Sequence, residues 1–213
     1  MRARASHGVV ASDRIAFILT MRRTNRRAAD HPAVADALVA AGFTDLTLQI
    51  GRGAYVPHRL GGGDGTGDAK GSSSGGGGEG AFVYEAVKGK ARRRRKAGST
   101  SLRVSFFRLA PSLAPLLEDA DLVLSHAGAG SLFEALAAGC AVVAVPNPAL
   151  MGDHQAELAE RLASEDWLVA CDIRGGGSAL ARAAADAAST AGGGARYDPM
   201  DARNIATRIM ALA

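Results

Sequence analysis

The residues best suited to chemistry fall in one short stretch, Ser125-His126-Ala127-Gly128-Ala129-Gly130-Ser131, with Glu134 three residues on. It lies between an apolar run, Asp121–Ser125, and a helical pattern, Leu132–Ala138. Gly128 and Gly130 are expected to take positive φ and to let a ligand approach with no Cβ in the way. The amides that open the next helix lack intrahelical partners and lie at the positive end of its dipole, so phosphate is their natural ligand. Ser131 is placed to cap that helix or to offer its hydroxyl to a phosphate oxygen. Glu134 reads as a first-turn acid that suits the helix dipole. In a sharper reading its two oxygens accept from the two hydroxyls of a ribose. The competing account of the whole stretch is a plain strand-to-helix turn, glycine-rich for packing. It is neither a complete dinucleotide fingerprint, because Phe133 holds the third glycine position, nor a Walker loop, because no Gly-Lys-Ser/Thr follows.

A second cluster, Asp153-His154-Gln155, follows the loop opened by Pro146 and Asn147. Gln155 can meet a sugar hydroxyl with either face of its amide, or simply start a helix. His154 beside Asp153 suggests acid–base work, but no third group orients the pair. No metal site is expected: the five histidines are scattered, without H-x-x-x-H or paired-cysteine spacing. Cys140 and Cys171 form no C-x-x-C and read as small buried hydrophobes in a reducing compartment.

These groups need a scaffold. The chain has 213 residues, 47% hydrophobic and 22% charged, enough for one domain with a real core. Its net charge is +4, but Arg92–Lys96 alone supply five positives, and removing them leaves −1. A basic surface spread over the fold, as a nucleic-acid reader needs, is therefore not implied. The longest apolar run, Ala135–Pro146, falls short of the ~20 residues of a membrane-spanning helix. The N-terminal arginines Arg2, Arg4 and Arg14 flank only a poor apolar stretch, which is weak support for a transit peptide.

Strands are expected at Arg14–Met21, Leu46–Ile50, Ala81–Val87, Val104–Arg108, Asp121–Ser125, Ala141–Val145 and Trp167–Cys171. Helices are expected at His31–Ala41, Leu113–Ala120 with Ser112 as its cap, Leu132–Ala138, His154–Ser164, Ser178–Ala188 and Ala202–Leu212. The alternation argues for an α/β fold, a Rossmann-like doubly wound parallel sheet, with ligands at the carboxyl ends of its strands. The domain runs over 14–213, with a flexible Gly/Ser- and Arg-rich insertion at 61–96. Eleven of the twenty residues from Gly61 to Gly80 are glycine, too few side chains to offset the cost of ordering.

Three motifs occur in order: LQIGRG (Leu48–Gly53), ADLVLSHAGAGSLFEAL (Ala120–Leu136) and LMGDHQAELAERL (Leu150–Leu162). Together they resemble glycosyltransferase family 28 C-terminal domains, specifically the catalytic subunits of the eukaryotic UDP-N-acetylglucosamine transferase that adds the second sugar of the dolichol-linked N-glycan precursor. The resemblance covers roughly Arg14 to Cys171, apart from the insertion. It implies a single GT-B C-terminal-type half domain and an inverting, metal-independent transferase without a cofactor, using UDP-GlcNAc as donor.

Carried over by motif, the resemblance implies that Gly128, Ala129, Gly130 and Ser131 hold the diphosphate, with His126 beside them as a binding residue. Glu134 would hold the ribose. Gln155, with Asp153 and His154, would face the GlcNAc, and Gly51, Arg52 and Gly53 would line the same cleft. It also implies a membrane-anchored partner subunit that supplies the acceptor site and the catalytic base. The acceptor would be lipid-linked GlcNAc, at the cytosolic face of the endoplasmic reticulum, with some of the subunit free in the cytosol. Three departures stand out. Met21-Arg22-Arg23-Thr24 takes the place of the relatives' Gly-Thr-Thr turn, Cys140-Ala141 that of a frequent Lys-Pro, and the segment 61–96 is foreign to the short forms. The lost turn favours a rival reading, a non-catalytic module that kept the fold and lost donor binding. For Arg92–Lys96, binding to acidic lipid headgroups competes with a plain solvated loop.

Overall fold

The computed structural model describes residues 15–18, 28–52, 55–57, 79–85, 101–147 and 154–190. Seven strands form one sheet: β1 (Ile15–Ile18), β2 (Asp45–Gln49), β3 (Gly80–Glu85), β4 (Ser101–Phe107), β5 (Leu122–Ser125), β6 (Ala141–Ala144) and β7 (Val169–Ala170). Their order is β3-β4-β2-β1-β5-β6-β7. All neighbours pair in parallel except β3 and β4, which are antiparallel. The parallel sheet expected from the sequence is thus a mixed one, with one antiparallel strand at its edge. That strand lies inside 61–96, so part of this segment belongs to the sheet.

Five helices are described: α1 (Pro32–Ala40), α2 (Ala114–Asp119), α3 (Ala129–Ala137), α4 (His154–Ser164) and α5 (Gly176–Thr190). For three of them a local cause is visible. His31 caps α1, its Nδ1 accepting from the Ala33 N–H at 3.1 Å, with Pro32 in the first turn, where a missing N–H costs nothing. Gly42, at φ +87°, ends it. Ser112 Oγ accepts from the Ala114 N–H at 3.2 Å as α2 begins, although the capping position itself is Leu113. Leu162 and Ala159 bury one stripe of α4, while its acidic residues stay outside. The expected strand at Trp167–Cys171 shortens to two paired residues, and the expected helix at Ala202–Leu212 lies outside the described residues.

β5 is buried along its whole length, as a central strand covered on both faces must be. Its alternate side chains serve two cores. Leu122 and Leu124 join Leu46, Leu102, Leu38 and Leu180 beneath α1 and α5. Val123 joins Val142, Leu132, Leu136 and Leu162 beneath α2, α3 and α4. Each fully buried leucine contributes roughly 1.5–3 kcal/mol relative to exposure. Tyr84 pins the edge strand to α1, donating its hydroxyl to Asp36 Oδ1 at 2.9 Å.

Candidate functional site

Strand order reverses at the centre of the sheet. From β1 the chain moves outward to β2 and β4, then returns to β5 on the other flank of β1 and proceeds to β6 and β7. Adjacent crossovers therefore part above β1 and β5, leaving a crevice at their carboxyl ends where α/β sheets bind ligands. The sequence Ser125-His126-Ala127-Gly128 leaves β5 at this point and opens α3.

The geometry of that turn corrects two expectations. The positive φ falls on Ala127, at +62°, not on the glycines. Ala127 is completely buried among the side chains beneath α3, and that packing holds a conformation costing an L residue about 1–2 kcal/mol. Gly128 has an ordinary φ of −70° and is the N-cap of α3. The helix then starts at Ala129, three residues earlier than the sequence suggests. Ser131 accordingly lies within the first turn rather than at the cap, and Glu134 projects from the second turn, exposed to solvent.

The opening of α3 suits an anion. No side chain among the described residues caps it, so the first-turn amides of Ala129, Gly130 and Ser131 keep their donors for another partner. Ala129 and Gly130 are exposed, and a Cβ on Gly130 would meet nothing within 4 Å. Internal packing therefore does not require glycine there, although glycine costs a helix about 1 kcal/mol relative to alanine. Gly128 differs: a Cβ on it would lie 2.7 Å from His126 Nε2. The half-buried imidazole of His126 thus leans over the N-cap of α3.

The other expected residues are less uniform. Gln155 is half-buried in the first turn of α4, and its Oε1 lies 3.5 Å from the Asn147 N–H, bridging the end of β6 to α4. His154 is exposed, its Nδ1 3.8 Å from Glu157 Oε2. Gly51 is buried with φ +64°, and Arg52 beside it is exposed. Gly53 and Asp153 lie outside the described residues, as does the Met21–Thr24 stretch after β1.

Sequence reasoning missed several supporting residues. Arg108 leaves the carboxyl end of β4 and donates from one guanidinium nitrogen to the Tyr55 carbonyl at 3.2 Å and the Gly51 carbonyl at 3.5 Å. The Gly51 N–H in turn donates to the Arg108 carbonyl at 2.9 Å. Tyr55 donates its hydroxyl to Asp30 Oδ2 at 2.9 Å, and Asp30 is almost fully buried just before α1. These bonds tie the loop after β2 to β4 and to the entry of α1, along the same carboxyl edge as the β5 turn. The arginine's position as the last residue of an expected strand was the only available signal, and nothing local marked Asp30. Ser125, the last residue of β5, is fully buried, and its Oγ has no hydrogen-bond partner among the described residues.

Both cysteines are free and buried, as expected. Burial, with the Asp121 charge nearby, pushes the Cys140 thiol up to about 11. Burial, with the Asp172 charge, does the same for Cys171, also to about 11. Neither is a nucleophile near neutral pH. No group of three or more His, Cys, Asp or Glu side chains among the described residues could hold a metal ion.

Comparison with known proteins follows the same outline. Residues 82–174 match the glycosyltransferase family 28 C-terminal domain. The chain is 32% identical over 137 residues to the UDP-N-acetylglucosamine transferase subunit ALG13 of Mus musculus, covering 64% of this chain and 9% of that protein. The human counterpart is also 32% identical, over 133 residues, covering 62% of this chain and 8% of that protein. The matched part thus spans about a tenth of these mammalian relatives. A solution structure of ALG13 superposes with a TM-score of 0.47 at 19% identity, covering 77% of this chain and 80% of that one. The crystal structure of Acinetobacter baumannii MurG gives a TM-score of 0.49 at 16% identity, covering 84% and 45%. The resemblance read from the three motifs is borne out by the family and sequence matches.

Proposed function

We propose that this chain, which carries a glycosyltransferase family 28 C-terminal segment, is the donor-binding subunit of a UDP-GlcNAc transferase. The reaction is inverting transfer of GlcNAc to a lipid-linked GlcNAc diphosphate, the second step of dolichol-linked oligosaccharide assembly. One observation carries the reading: the similarity to UDP-N-acetylglucosamine transferase subunits coincides with an uncapped helix N-terminus at the sheet's reversal point.

In this reading the diphosphate rests on the first-turn amides of Ala129, Gly130 and Ser131, with His126 beside it. Departure of UDP builds negative charge on the diphosphate, and these fixed donors stabilise it without a metal. Glu134, one turn further along α3, reaches the ribose hydroxyls. Gln155 turns its amide to GlcNAc, and the loop at Gly51 and Arg52 walls the cleft. No cofactor takes part.

Inversion requires a base to deprotonate the acceptor hydroxyl on the opposite side of the sugar. That base belongs to a membrane-anchored partner subunit, which also supplies the acceptor site and holds this chain at the cytosolic face of the endoplasmic reticulum. Among the described residues no helix is long and apolar enough to cross a membrane.

The test is transfer of GlcNAc to lipid-linked GlcNAc after co-expression with the acceptor-binding partner. The wild type transfers, and Glu134→Ala combined with Gly128→Val abolishes transfer; activity surviving both changes contradicts the site. The rival reading, a module without donor binding, rests on Met21-Arg22-Arg23-Thr24 replacing Gly-Thr-Thr. It predicts no heat of binding when UDP is titrated into the protein.

A further inference from the structure

Two glycines bracket the opening of α3, and they have different physical causes. Gly130 faces open space. Gly128 has a backbone conformation that any residue adopts, φ −70° and ψ 128°, so its lack of a side chain is not needed for the turn itself. Glycine is acceptable as an N-cap, but serine, asparagine or aspartate would hold a helix better. What glycine alone provides here is room: its missing Cβ lies where His126 Nε2 approaches to 2.7 Å, with Cε1 at 3.2 Å.

We infer that Gly128 is a positioning residue whose absent side chain seats the His126 imidazole over the first turn of α3. The ring's Nδ1 is buried from solvent. The Gly128 backbone lets Nε2 lie directly against the N-cap. The Ala127 conformation folds the chain back so that residues 126 and 128 meet. The strained alanine and the glycine N-cap thus serve one arrangement, an imidazole held against the N-cap of α3.

Any Cβ at 128 collides with the tip of a side chain rather than with backbone. The chain therefore folds, and the ring swings away. This separates positioning from stability. Serine at 128 improves the cap but removes the seat, so a capping role and a seating role give opposite results.

The inference that the seat matters for binding rests on the donor reading above; the seat itself does not. The experiment uses the full chain, isotopically labelled, as wild type, Gly128→Ser, Gly128→Ala, His126→Ala and the Gly128→Ser/His126→Ala double variant. Ring resonances of His126 are recorded without ligand, and UDP affinity is measured by calorimetry. Gly128→Ser is expected to keep its amide spectrum outside the 125–132 turn, to shift the His126 ring resonances, and to bind UDP about 10–100-fold more weakly, the loss of one hydrogen bond to a charged group. The double variant is expected to match His126→Ala, because a ring already removed cannot be displaced.

Unchanged ring resonances in both Gly128 variants overturn the seat. Shifted resonances with unchanged UDP affinity overturn its role in binding. Additive losses in the double variant overturn the coupling. A wild type that binds no UDP sinks the donor reading instead, and the ring resonances still decide the seat.

Discussion

At the scale of single residues, the turn after β5 divides its tasks in a way that residue types alone do not reveal. The glycines invited an expectation of positive φ, yet the left-handed residue is Ala127, held there by complete burial. Tertiary packing overrode local preference, and no local signal marks such a site in advance. The cysteines were legible, because two unpaired thiols in apolar surroundings pack as small hydrophobes. Their environment sets a pH dependence. Cys140 and Cys171 rise from 9.0 to about 11, chiefly through burial. Tyr84 rises from 10.0 to about 12, through burial and then its bond to Asp36. In each case the folded state holds its proton more tightly than the unfolded chain. The contribution of these three groups is therefore fully present below about pH 9 and is lost as pH rises from about 9 to about 12, where the unfolded chain ionises first. Urea midpoints should be lower at pH 10.5 than at pH 8. Ellman's reagent should react slowly with the native thiols at pH 8 and fast in urea. Equal thiol rates in the two states would contradict this burial account.

At the scale of elements, legibility followed periodicity. α4 came out of the sequence with its ends intact, because Leu158 and Leu162 mark one face and acids mark the other. α3 was read three residues short, because Ala-Gly-Ser looks like a turn; glycine's low helix propensity is outweighed by the burial of Leu132 and Leu136. β3 was visible as a strand, but its antiparallel direction was not, since direction depends on its partner β4 and not on its own pattern. A contact between elements yields a sharper expectation. Gly177, buried at the start of α5, packs against the side chain of His31, the residue that caps α1. A Cβ there meets Cβ and Cγ of His31, near the backbone, where the ring cannot simply swing clear. Gly177→Ala should therefore push α1 from α5 and cost about 1–3 kcal/mol. Chemical denaturation would measure it, and a midpoint equal to wild type would contradict the close approach.

At the scale of the molecule, the sheet brings three separate motifs to one edge. LQIGRG ends β2, the Ser125–Ser131 stretch ends β5, and Gln155 opens the helix after β6. Their common placement follows from parallel pairing, which puts the carboxyl ends of β1, β2, β4, β5 and β6 on the same side. The alternation of strands and helices made this edge legible. The brace through Arg108, Tyr55 and Asp30 was not, because it joins residues up to 53 positions apart. In the proposed reading, the helix end at this edge holds a nucleoside diphosphate sugar. The most direct test of that reading is a titration of the labelled chain with UDP-GlcNAc, followed by amide shifts. The account predicts saturable changes concentrated at Gly128, Ala129, Gly130 and Ser131, with a second group at Gln155. Saturable changes elsewhere that leave those amides still, or no changes at all, would contradict it.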